Sequence, residues 1–456
     1  MPRETTGAGE VGTPVPDHPG PGAPVDRSSP GASEPDRPGW DGFDIDAVVA
    51  LAADLVRMRT VNAAGAQEVE TPAVLLLADL MRGFGWAVTV TEVAPGRHSV
   101  VGVVDGSQSR TDAGGSGGGG GADRLDASRT LMFEGHVDVV TEGDPTLWSF
   151  DPYAGDVVQG RLRGRGSADM KSGVAAMVHA ARAVQLAGFH GRIVVGVLAD
   201  EEGLMLGAKR FAADLGAGLV AGVGAVDGVI VCEPEGGEVC PVAKGAIRIG
   251  ITFVGAMAHG AMPAMGRNPL PAIGSVLNGL AGIEHAYRAR VGTHPALGDF
   301  SLTPTVLSAG SIDQINVIPA TAVLAVDIRT VPAVDHAGLI STVTGLAEGS
   351  AVEHGLEVVV SVLDDRPPVD TPVDSPVVQA MLAGHRAATG REAVVGGVPG
   401  TTDGTILTRD AGLPTVVYGP GGKWIAHRAD EYVDVADIAT CTRAYVAAAR
   451  HFLAAR

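Results

Sequence analysis

Short apolar runs alternate along the chain with longer amphipathic stretches. The runs 98–104, 129–134, 192–199, 228–232 and 414–418 are strand-like, rich in Val, Ile and Leu and bounded by Gly, Pro or charge. Helical spacing of apolar residues marks "FDIDAVVALAADLVRMRTV" and the stretches 170–188 and 204–215. Strands alternating with helices predict an α/β protein, a mixed sheet flanked by helices. Residues 246–364 follow another order: strand 248–255, helix 268–289, strands 300–309 and 321–330, helix 336–354, strand 356–364. That βαββαβ succession is the ferredoxin-like split unit. The earlier pattern resumes after it, so the expected organisation is one domain in two parts, 40–245 and 365–456, with 246–364 inserted.

Two tracts break the pattern. Residues 1–39 are dominated by Pro, Gly, Ser and charge, too little apolar surface to offset chain entropy, and read as a disordered extension. Residues 112–128 are glycine-rich between two strand-like runs and read as a flexible loop insertion.

Composition narrows the partners. The 456 residues are 45% hydrophobic, enough for a sizeable core, and carry 33 basic and 52 acidic side chains for a net charge of −19. A basic footprint for nucleic acid is missing. Cys232, Cys240 and Cys441 form no CxxC pair, so neither a disulfide framework nor a thiolate zinc site is expected, and a cytoplasmic location fits. The opening "MPRETTGAGE" has no apolar segment of a secretory signal. The most apolar stretch, 215–232, is broken by Asp227 and several glycines, so no membrane span is expected.

The candidate chemistry sits where strands end. "LMFEGHVDVV" turns from apolar residues to His136 and Asp138; Asp169 precedes the helix after "GRLRGRGSADMKSG"; Glu201 and Glu202 follow "RIVVGVLAD"; Glu233 follows "GVIVC"; His427 follows "LPTVVYGPGG". Ligands of α/β sheets bind outside the carboxyl ends of strands. Imidazoles and carboxylates without thiolate suit zinc, cobalt or manganese. Five ligands exceed what one catalytic zinc uses, whereas two ions about 3.5–4 Å apart that share a carboxylate use five well. Asp138, two residues from His136, is placed to support that histidine. Glu201 and Glu202 are adjacent and diverge, so one binds metal and the other serves as general base.

At these residues the chain resembles the dinuclear-zinc amidohydrolase and peptidase family of acetylornithine deacetylase, succinyl-diaminopimelate desuccinylase, aminoacylase and glutamate carboxypeptidase. The stretches that carry the resemblance are "GHVDVV", "GRGSADMKSG", "ADEEG", "CEPEG", "KGAIRI", "GAMAHGAMPAMGRNPL", "NVIPATAVLAVDIRT" and "YGPGGKWIAHRADEYVDV", spanning about 131–435. The resemblance implies a metallopeptidase-type catalytic domain with the inserted unit as dimerisation and lid domain. It implies two divalent ions per subunit, Zn2+ with Co2+ or Mn2+ as alternatives. His136 and Glu233 would be terminal ligands, Asp169 the bridge, and Glu202 and His427 the ligands of the second ion. Glu201 would be the general acid/base. His259 would reach the partner subunit's site in a homodimer, Asn316 and Arg329 would meet a substrate carboxylate, and the Asp169–Met170 peptide bond would be cis. The activity implied is hydrolysis of the amide of an N-acyl amino acid, with a dipeptidase or carboxypeptidase as the alternative. The long extension, the glycine-rich tract and the variant "GGVPGTTDGTIL" depart from the compact pattern and leave the role of Asp403 open.

Plainer readings hold elsewhere. His179 lies on a helix and reads as structural, and Cys232 as a small buried residue. "GPGG" at 419–422 follows a strand but lacks the lysine–serine continuation of a phosphate loop.

Overall fold

The computed structural model describes residues 42–63, 69–106 and 128–454. The extension 1–39 and nearly all of the tract 112–128 lie outside the described residues. The helices are α1 (Ile45–Arg57), α2 (Thr71–Gly83), α3 (Ser172–Ala187), α4 (Leu206–Gly216), α5 (Leu270–Val291), α6 (His336–Glu353), α7 (Pro376–Thr389), α8 (Asp403–Ala411) and α9 (Val435–Ala454).

Among the described residues, the larger sheet runs in the order Ala87–Ala94, Arg97–Asp105, Arg192–Val197, Thr130–Gly135, Gly228–Val231, Thr415–Val417, Val239–Ala243, Val369–Asp370, with Val395–Val398 also paired to Val239–Ala243. Its four inner strands, from Arg192–Val197 to Thr415–Val417, are mutually parallel, and the flanking pairs are antiparallel except Val395–Val398, which runs parallel to Val239–Ala243. Parallel strands covered on both faces lose the period-two alternation, and "TLMFEG" and "RIVVGV" are buried along their whole length. One face packs Phe133, Ile193 and Val195 against α1, α3, α7 and α9. The other packs Met132, Val194 and Val229 against Phe211 of α4 and Ile406 of α8. Asp44 caps α1 by accepting the Asp46 N–H at 3.0 Å.

The second sheet has the order Ser301–Ala309, Thr321–Thr330, Gly245–Val254, Glu357–Arg366, antiparallel throughout. With α5 and α6 between its strands in the chain, it is the βαββαβ unit that the hydrophobic pattern predicts. Its two inner strands, Gly245–Val254 and Thr321–Thr330, alternate. Ile247, Ile249, Ile251 and Phe253 are buried with Leu324, Val326, Val276 and Val343. Arg248, Thr252, Asp327 and Arg329 lie on the half-open face.

Most boundaries shift by one to three residues from the sequence reading, and two of the shifts bear on the candidate site. The strand expected to reach 199 ends at Val197, where the Ala199 N–H turns to the Ser99 hydroxyl at 3.1 Å. The helix expected from 170 begins at Ser172, because Asp169 and Met170 have non-helical dihedrals inside a tight turn, Ser167–Lys171, and the bond between them is cis. Asp169 therefore does not leave a strand of the main sheet; it is presented by the turn that opens α3. Among the described residues, no helix is long and apolar enough to cross a membrane.

Candidate metal centre

The four parallel strands end at one edge, and each hands a polar residue to it. The strand Thr130–Gly135 is followed by His136, Arg192–Val197 by Asp200, Glu201 and Glu202, Gly228–Val231 by Glu233, and Thr415–Val417 by the loop carrying His427. Gly419 allows that loop to come close, since a Cβ there would sit 2.3 Å from the Cys232 carbonyl oxygen and 2.5 Å from that of Glu233. Gly419 of "GPGG" thus serves a close approach of backbone to backbone.

The side chains converge as two trios that share Asp169. His136, Asp169 and Glu233 form one, and Asp169, Glu202 and His427 the other; the donor atoms of each lie within 4.8 Å of one another. His136 Nε2 stands 3.1 Å from Glu233 Oε1 and 3.4 Å from Asp169 Oδ1. His427 Nε2 stands 3.2 Å from Asp169 Oδ2 and 3.0 Å from Glu202 Oε1. One oxygen of Asp169 therefore faces each imidazole. Glu201 belongs to neither trio, but its Oε2 lies 3.8 Å from His136 Nε2.

The surroundings fix these orientations. His136 Nδ1 donates to the main-chain oxygen of Asp138 at 2.9 Å, which turns Nε2 toward the carboxylates of Asp169 and Glu233. The Asp138 carboxylate, 3.4 Å from the same Nδ1, is engaged chiefly elsewhere. It accepts the main-chain N–H of Glu201 at 3.3 Å and of Glu202 at 3.1 Å, and the Asn62 amide at 2.7 Å. Asp138 thus holds the turn that sends the two glutamates apart. Asn62 also donates to Asp200 at 2.9 Å, and Arg97 pairs with Glu70 at 2.7 Å and Asp200 at 3.2 Å behind that turn.

The electrostatics are those of crowded carboxylates. Burial, together with the charge of Asp169, pushes Glu233 up to about 8. Burial raises Glu202, and it raises Glu201 well above the ordinary range with the help of Glu233 and Glu202. Hydrogen bonding to Asp169 and Glu202 lifts His427 to about 10. Burial opposes the charges of His136 and Asp169, yet the carboxylates around the histidine and the two imidazoles around the aspartate prevail. They hold His136 well above and Asp169 well below their usual values. A site that must protonate acids to hold them together is one that divalent cations would relieve. The donor set fits two such ions, with nitrogen and oxygen donors and one carboxylate open on both sides.

The remaining candidates lie on the second sheet and its loops. His259 is exposed in a two-residue bridge to Val317, and its Nδ1 accepts the Ala261 N–H at 3.0 Å. Asn316 accepts the Gly260 N–H through its main-chain oxygen at 2.6 Å. Arg329 pairs with Asp327 on its own strand at 3.1 Å. Among the described residues, none of the three bonds to the His136–His427 cluster.

Several buried groups were given no role by the sequence reading. Asp403, at the start of α8, whose role it left open, and Glu134, within the strand "TLMFEG", are both buried, and burial raises both acids, Asp403 to about 7. The signal for Glu134 was a glutamate in an otherwise apolar strand. Glu431 and Arg165 form a buried ion pair. Glu235, Glu238 and Cys240 also cluster, but the Lys423 ammonium already stands 2.9 Å and 3.0 Å from the two glutamates and supplies their cation. His179 packs edge-on to Phe84, and Cys232 is fully buried, in keeping with structural roles for both.

Fold and donor set together present a candidate site for paired metal ions at the end of a mixed α/β sheet. Residues 132–451 match the model of Peptidase family M20/M25/M40, and the chain belongs to this family of hydrolases. The chain is 31% identical over 333 residues to the succinyl-diaminopimelate desuccinylase of Dinoroseobacter shibae, covering 72% of this chain and 84% of that one. Its fold is similar to that of the M20 family metallo-carboxypeptidase Sso-CP2 of Sulfolobus solfataricus, with TM-score 0.70, 15% identity and coverage of 89% and 99%. It is also similar to that of the Bacillus subtilis YXEP protein, a dinuclear metal binding peptidase, with TM-score 0.60, 16% identity and coverage of 89% and 98%.

Proposed function

We propose that the protein hydrolyses the amide bond of an N-acyl amino acid, in the manner of a deacetylase or desuccinylase, with two divalent ions per subunit. The observation that carries this reading is Asp169, with one oxygen toward His136 and the other toward His427, and Glu201 beside them outside both trios. His136 and Glu233 would hold one ion, Glu202 and His427 the other, and Asp169 both. Zn2+ suits this donor set, with Co2+ or Mn2+ as alternatives. When bound, the ions would polarise the acyl carbonyl and ease deprotonation of water. Glu201 takes that proton and returns it to the leaving amine; its raised pKa in the cluster suits a carboxylate that must accept a proton. Asp138 keeps Glu201 and Glu202 in their separate positions through their main-chain N–H groups.

Identity to a desuccinylase over most of both chains favours an N-acyl amino acid over a peptide. A carboxypeptidase or dipeptidase would use the same machinery. Arg329 and Asn316 are assigned to a substrate carboxylate, which a guanidinium grips bidentately. The inserted unit, 246–364, is assigned to dimerisation, with His259 completing the partner's site. The edge strand Ser301–Ala309, with Val306 and Leu307 exposed, supports an interface there. Three free, buried cysteines accord with a reducing cytoplasm.

Metal analysis with a panel of N-acetyl, N-succinyl and N-formyl amino acids and dipeptides tests the reading. Two ions per chain and turnover of one N-acyl class are expected. Full activity in verified metal-free protein would overturn it.

A further inference from the structure

The segment that carries Asp169 and the segment that carries His427 are joined along their length. The strand Arg161–Arg163 pairs antiparallel with Tyr432–Asp434 in the register Arg163 to Tyr432, Leu162 to Val433 and Arg161 to Asp434. Glu431 stands at the end of this ribbon nearer the site, four residues beyond His427. Its main-chain oxygen accepts the Gly164 N–H at 2.9 Å, which continues the pairing by one step.

The side chain then does something a ribbon does not require. Glu431 is fully buried, with none of its surface exposed. Its Oε1 accepts the main-chain N–H of Ala168 at 3.0 Å and of Asp169 itself at 3.2 Å. Its Oε2 pairs with the guanidinium of Arg165, which is buried too. N–H groups at the first turn of a helix have no partner within it, and the tight turn Ser167–Lys171 has two of its own satisfied by this one carboxylate. Taking an ion pair out of water is costly, and such a pair is weak evidence for stability alone. Here the charge is spent on the residue that faces both imidazoles.

We infer that Glu431 is a positioning residue for the metal centre. By gripping the Asp169 N–H it sets the height and direction from which that carboxylate addresses both trios, and it ties this setting to the loop that presents His427. Arg165 keeps the Glu431 carboxylate aimed. The inference rests on the reading of Asp169 as the shared ligand.

The test measures metal affinity, with zinc and with cobalt, on the full chain. Partners behind a ligand are typically worth about 10–100-fold in metal affinity. Glu431→Ala, which removes the acceptor of both N–H groups, should weaken binding of the ions by that factor and alter the visible absorption of the cobalt-loaded protein. Arg165→Lys, which retains the carboxylate and both N–H bonds, should keep affinity within about threefold of wild type while lowering the melting temperature. Unchanged metal affinity and an unchanged cobalt spectrum in Glu431→Ala, with only the melting temperature lowered, would overturn the inference and leave Glu431 structural. If Glu431→Ala fails to fold, Arg165→Lys decides: retention of affinity supports the inference, and a loss of tenfold or more overturns it, since the N–H bonds alone would then not position the site. A wild-type chain that binds no pair of ions would instead defeat the reading of the site itself, so the two failures are told apart.

Discussion

The two sheets of this protein bury different things. On the second sheet the buried ionisable groups among the described residues are Asp364 and Arg366, paired at the end of the last strand, and the rest of the interior is an apolar layer between one sheet face and α5 and α6. The edge of the larger sheet, by contrast, gathers Glu70, Glu134, His136, Asp138, Arg165, Asp200, Glu201, Glu233, Asp403 and Glu431 out of solvent. Burying an ionisable group without full compensation costs stability. A chain selected for stability alone would have built both sheets like the first. The contrast separates a framework, explained by apolar burial, from a site whose carboxylates are retained for what they hold.

Removing metal should strike hardest at one side of that contrast. Chelation is expected to abolish hydrolysis, and readdition of a divalent ion to restore it, while the melting behaviour of the inserted unit changes little; an assay on protein verified by elemental analysis checks this. Within the site, Glu201→Gln should lower kcat by ~10²–10⁴-fold with both ions retained, and Glu202→Gln should lose metal as well. The opposite pattern in metal analysis would exchange their roles. On the inserted unit, Leu307→Glu at the exposed edge strand should convert a dimer to monomer by light scattering. His259→Ala should lower kcat by about 10²-fold, in the range of a lost oxyanion donor. A fully active monomer would remove His259 from the site. Arg329→Ala should erase the preference for a substrate with a free carboxylate over its neutral amide, and leave metal content untouched. The smallest effect is the sharpest control. Ile251→Val, in the apolar layer, should cost about 0.5–1.5 kcal/mol of stability in denaturant unfolding with no change in metal affinity.

Much of this was legible before any coordinates. The βαββαβ unit declared itself because its inner strands alternate and its helices have the right period, both consequences of a single buried face. The five candidate ligands were visible because polar residues stood where apolar runs stop. What could not be read was the support behind them. Asn62 and Arg97 reach the site from distant segments, and nothing in their own neighbourhoods marks them; Glu431 lies only four residues beyond His427, but nothing in the sequence joins it to Asp169. Asp138 lies beside His136 in sequence, yet its carboxylate serves Glu201 and Glu202 more than its neighbour, a relation set by strand order. The early end of the strand at Val197 and the late start of α3 follow the same logic, since both are decided by contacts with the site.

The position of the strand Thr415–Val417 bears on how the protein is made. It lies inside the larger sheet, between Gly228–Val231 and Val239–Ala243, with Val417 opposite both Val231 and Cys240. A nascent chain that has completed the first two of these strands must still synthesise the whole inserted unit before the third emerges, roughly nine to thirty-five seconds at ~5–20 residues per second. Until then the sheet has a gap between them and His427 is absent. The candidate centre therefore closes only after the inserted unit has been made, when the last inner strand arrives.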